Sequence, residues 1–74
     1  MTIAEKLYSA LTKKYEAEIA EAEAELLIYL SNPVGIGEHP QHVEEMDKFV
    51  EKLANAKDKL ETLQMMVKIN NNGN

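Results

Sequence analysis

The chain has 74 residues, no cysteine and a formal charge of −5, with eight basic residues that are all lysine. Those facts exclude disulfides and thiolate metal sites, and they leave no arginine to read phosphates or guanine, so nucleic-acid binding is not expected. A single core of this size yields only a few kcal/mol, so association with another chain is the expected route to stability.

Alanine, glutamate, lysine and leucine dominate, a mixture that with helical spacing points to long helices. The first helix is expected over about 3–30. Thr2 followed by Glu5 fits a capping box, in which each side chain satisfies the other residue's exposed N–H. No Gly or Pro interrupts until Pro33, and such a helix would be roughly 42 Å long. One apolar stripe runs along it through Ala4, Tyr8, Leu11, Tyr15, Ile19, Ala22, Leu26 and Tyr29, at spacings of three or four. On the opposite side Ala10, Ala17 and Ala24 recur every seven residues, with Ala20, Leu27 and Ile28 beside them. Alanine is the best helix former, which is one reading of that stripe. The other is a second contact surface that lets another helix approach closely. Glutamates 16, 18, 21, 23 and 25 fill the flanks as a solvated edge.

Residues 31–39 form the connection. Asn32-Pro33 stops the first helix, because proline disfavours helical geometry in the residue before it. Gly35 and Gly37 supply backbone freedom, and Val34 and Ile36 are expected to fold back over the open end of the hairpin. Pro40 suits the first turn of the second helix, expected over about 40–69. There Met46, Leu53, Leu60 and Val67 alternate with Phe49, Ala56 and Leu63 in a heptad, and Val43, Val50 and Ala54 widen the stripe. Residues 70–74, rich in asparagine, are expected to form a disordered tail. The fold class is therefore all-α: residues 1–69 form one long antiparallel helical hairpin, expected to dimerise into a four-helix bundle with the first helices meeting through the alanine face.

Chemistry is sparse. Glu38, His39, His42 and Glu45 cluster near the start of the second helix, and imidazole with carboxylate can hold zinc. Yet His42 falls in line with the core stripe, while His39 and the two glutamates suit the helix N-terminus. No metal or other cofactor is expected. A ferritin-like di-iron site needs inward glutamates and Glu-x-x-His motifs, and neither occurs. Gly35-Ile36-Gly37 lacks the third glycine and βαβ context of a dinucleotide fingerprint. Ser9 and Ser31 have no partners at triad-like spacing. Tyr8, Tyr15 and Tyr29 read as core aromatics. No catalytic residue is expected.

The run from Tyr15 to Leu63 includes Leu26-Leu27-Ile28-Tyr29, the loop Asn-Pro-Val-Gly-Ile-Gly-Glu-His at 32–39, and Lys59-Leu60-Glu61-Thr62-Leu63. It resembles uncharacterised small helical proteins of marine T4-like tailed phages (cyanophages). The loop is the specific part, and the resemblance spans about two-thirds of the chain. It implies a phage origin and brings no activity, cofactor or site residues. Lysine without arginine and the asparagine run fit an AT-rich genome.

The functional expectation is a small non-enzymatic protein–protein interaction module, homodimeric or higher, with a further protein partner possible in kind. Its interaction residues would be Ala10, Ala17, Ala20, Ala24, Leu27, Ile28, Val34 and Ile36. A self-assembling structural component and a metal-binding protein at the loop histidines are the alternatives. No apolar run reaches the roughly 18 residues of a membrane span, and Glu5 and Lys6 leave no signal-peptide core, so a cytoplasmic protein is expected, in the host if phage-encoded.

Overall fold

The computed structural model describes residues 2–31 and 41–72. They form two helices, α1 over Ile3–Ser31 and α2 over Gln41–Asn72. The expected loop features, Val34, Ile36, Glu38 and His39 among them, lie outside the described residues.

The capping box at the start of α1 is formed. The Thr2 N–H donates to Glu5 Oε1 at 3.1 Å, and the Glu5 N–H donates to Thr2 Oγ1 at 3.1 Å. The Thr2 backbone N–H, with its hydroxyl second, holds the Glu5 carboxyl below its ordinary range. One boundary needs correcting. The asparagine run does not fray at residue 70, because α2 continues through Asn72. Asn70 and Asn71 line a groove with Ala4, Glu5 and Tyr8 of α1, so the last turn of α2 has the first turn of α1 beside it.

The two helices run antiparallel, and their register can be read from side-chain pairs. Lys59 meets Glu18 at 2.9 Å, Lys52 meets Glu25 at 3.2 Å, and the Tyr29 and Phe49 rings lie 5.7 Å apart. Each step towards the C-terminus on α1 is thus a step towards the N-terminus on α2. The expected stripes form the seam. Tyr8, Leu11, Tyr15, Ile19, Leu26 and Tyr29 are half-buried on α1, as are Met46, Phe49, Leu53, Leu60, Leu63 and Val67 on α2. Ala4, the first residue of the α1 stripe, is exposed, and Val43, Val50 and Ala54 stay outside the seam.

At the middle of this seam Ala22 and Ala56 are 0% and 1% exposed. Among the described residues they alone are fully buried and apolar; no large side chain is. The molecule is a rod of 57 × 20 × 15 Å with a radius of gyration of 16.8 Å. A compact domain of this length would have a radius of about 11 Å. The shape gives side chains a line to pack along and no interior to fill.

A larger side chain at Ala22 has nowhere to go. Ala22→Leu should lower the stability of the hairpin by about 1–3 kcal/mol through overpacking, whereas Ala10→Leu on an exposed face should change it by less than about 0.5 kcal/mol. Thermal melts followed by circular dichroism measure both.

Candidate interaction surfaces

Of the histidine–carboxylate cluster, His42 and Glu45 lie within the described residues. His42 turns into the seam, its ring edge-on to Tyr29 at 5.9 Å between centroids and 71° between planes. Glu45 pairs instead with Lys48, one turn on, at 3.4 Å. Among the described residues no group of three or more His, Asp or Glu side chains could hold a metal ion.

One long side of the hairpin is laced by charge. Lys52 reaches across to both Glu21 and Glu25, and Lys59 to Glu18. The Lys59 ammonium also lies 5.0 Å from the centre of the Tyr15 ring, a cation–π contact. The Lys59 ammonium holds the Glu18 carboxyl below its ordinary range, and the Glu21 and Glu25 carboxylates hold the Lys52 ammonium above its own. Exposed pairs of this kind contribute little each, because water screens them. Their value here is register: they fix how the two helices slide. These pairs were not anticipated from sequence, where the glutamates read as a solvated edge. The signal was present, since Glu18 and Glu25 are seven residues apart, as are Lys52 and Lys59, and both sets flank the apolar stripe as e and g positions do.

The opposite long side carries no such lacing among the described residues. Leu27 follows Glu25 by two residues and Val50 precedes Lys52 by two, a rotation of about 200° in each case, so both lie across from the ion pairs. Leu30 and Val43 fall on the same side. The four are 58%, 51%, 64% and 74% exposed for Leu27, Val50, Leu30 and Val43 respectively. Glu23, Leu26, Leu27 and Leu53 line a shallow groove between the helices there. The result is an apolar patch on one face, in the half of the rod nearer the 32–40 connection.

A second apolar group lies at the other end and on the other face. Leu7 stands 18 residues before Glu25, five whole turns, and so shares the ion-paired side. Ile3, Leu7 and Met66 are exposed there, with Ile69 exposed beside them on the outer side of α2. The alanine stripe is also uncovered: Ala10, Ala17, Ala20 and Ala24 are exposed, with Leu27 and Ile28. Of the expected interaction residues, only Val34 and Ile36 fall outside the described chain. No described helix is long and apolar enough to cross a membrane.

Compared with protein families, curated proteins and solved structures, the chain matches none. The surface itself is what remains to reason from.

The Lys59–Glu18 pair gives a signed pH dependence. A carboxyl lowered in the folded state contributes its full stability above the ordinary glutamate value of about 4.3, and loses it as pH falls through the lowered value. The melting temperature of the parent protein should therefore exceed that of Glu18→Gln at neutral pH. The gap should close in strong acid, where Glu18 is protonated in both states; a gap that persists there would mean the pair is not its source.

Proposed function

We propose that this chain is a small non-enzymatic helical interaction module whose activity is association through its apolar helix faces, first with a second copy of itself as a four-helix bundle. The observation that carries this reading is the imbalance of burial. Two alanines are the only fully buried apolar residues described, while ten large apolar side chains are exposed, from Ile3 on α1 to Ile69 on α2. Scattered surface leucines need no explanation, but contiguous apolar patches on a soluble-sized unit mark contact surfaces. A two-helix rod offers these patches to a neighbour because it cannot cover them itself.

The apolar group at Ile3, Leu7 and Met66, with Ile69 beside it, supports a second contact beyond the first. It lies at the opposite end and on the opposite side from Leu27, Leu30, Val43 and Val50, so one partner seated on the latter leaves the former open. That arrangement favours a module that joins itself and then another protein. If the chain is phage-encoded, as the resemblance of the 32–39 loop implies, the module would be an accessory protein in the host cytoplasm.

Light scattering across a wide range of concentration tests the reading. The expected result is a stable mass of two chains of 8.3 kDa each. A single-chain mass at every concentration would overturn it. Calorimetric titration with zinc addresses the metal alternative. We expect no uptake, since Glu45 is engaged by Lys48; uptake that disappears in His42→Ala would replace the interaction reading with a metal site.

A further inference from the structure

We infer that the second copy docks on the face opposite the ion pairs, in a two-fold dimer whose axis runs along the rod, so that both connections lie at the same end. This rests on the association reading above and assigns its face and orientation.

Area comes first. The chain exposes 5863 Å². A compact monomer of 8.3 kDa would expose about 4,600 Å². The surplus, roughly 1,300 Å², exceeds the approximately 800 Å² that each partner contributes to a standard interface. A second copy can therefore be seated with surface to spare.

Orientation follows from how polarity is distributed along this face. Its half near the connection holds Leu27, Leu30, Val43 and Val50. Five whole turns away on the same helices and the same side stand Ser9, Thr12 and Lys68, each 18 residues from Leu27, Leu30 and Val50. A two-fold axis across the rod would lay the apolar half of one copy on this polar half of the other. A two-fold axis along the rod keeps every residue at its own height and places α1 against the partner's α2, antiparallel, as in an up-and-down bundle. Apolar then meets apolar: Leu27 comes level with the partner's Val50, and Leu30 lies about one turn from the partner's Val43, at the register that the Lys52–Glu25 and Lys59–Glu18 pairs set within one chain.

Charge agrees with this placement. At the same register Lys57 of one copy comes level with the partner's Ala20, whose small side chain leaves room for it. The partner's Glu16 and Glu23 stand about one turn to either side. Lys57, Glu16 and Glu23 are all exposed in the single chain. An isologous interface makes each such contact twice, so four acidic side chains flank two lysines. The alanine stripe at Ala10, Ala17 and Ala24 lies on the outside of this dimer.

Spin labels decide the orientation, since the chain has no cysteine of its own to remove. Ser31→Cys and Lys13→Cys place labels 18 residues apart on one side of α1, away from the proposed interface. With the axis along the rod, both positions should give the same separation between copies, about 30 Å for diagonal helices of a bundle. An axis across the rod separates the two copies of a residue by twice its height from that axis, so a third label, Ala24→Cys, could not match both of the others; three unequal separations would overturn this inference while leaving association intact. Charge supplies the second arm. Lys57→Glu should weaken dimerisation roughly tenfold at low salt, adding Glu23→Lys should restore most of it, and Ala17→Glu should leave it unchanged. A dimer broken by Ala17→Glu and indifferent to Lys57→Glu would overturn the assignment in favour of the alanine face. A parent protein that stays a single chain would overturn the association reading itself.

Discussion

Two helices laid side by side can hide only the stripe, roughly 100° wide, that each turns towards the other. In this chain the stripe is narrowed further at its centre by Ala22 and Ala56, which are covered completely while the larger residues above and below remain half-buried. The seam is continuous, running from Tyr8 beside Val67 to Tyr29 beside Phe49 and His42. Continuity gives the hairpin its rod shape. It does not give an interior, and a chain of 74 residues without cysteine has no covalent substitute for one. The exposed apolar patches are a direct consequence of that geometry.

Charge divides the rod into two unlike sides. Lys52 and Lys59 close one side by reaching to Glu21, Glu25 and Glu18. On the other side Leu26, Leu27 and Leu53 edge a groove that only Glu23 borders with charge. Had both sides been laced alike, nothing would distinguish them to a neighbouring helix pair. Because exposed ion pairs contribute little energy, the lacing acts chiefly on arrangement: it sets the relative height of the helices and thereby the pattern that the open side presents.

Most of the architecture could be read from spacing alone. The capping box at Thr2 and Glu5, the stripe from Tyr8 to Tyr29 and the heptad from Met46 to Val67 each depend on local periodicity, which a helix preserves regardless of its partner. Residues 70–74 read as tail because they hold too little apolar content to pack, yet α2 continues through Asn72. The ion pairs were missed for a related reason. Glu18 and Lys59 are 41 residues apart, and only the register of the hairpin shows that they are neighbours. His42 illustrates the reverse case, where its place in the apolar stripe outweighed its proximity to Glu45, and its ring packs against Tyr29.

The grading of polarity along the open face bears on how such a rod could choose a partner. Burial of leucine and valine gives association its strength but little direction, since apolar surfaces tolerate sliding. Direction needs a cost for the wrong alignment. Here that cost would come from two sources along the same face: Ser9 and Lys68 would be stripped of water against leucine and valine in a head-to-tail pairing, and Lys57 would lose the flanking glutamates. In the proposed dimer both costs vanish together, because one rotation about the rod satisfies the apolar half and the charged middle at once. The single chain already fixes the heights of those groups through Lys52 and Lys59. The pairs that lace one side of the hairpin therefore set the terms on which the other side can be met.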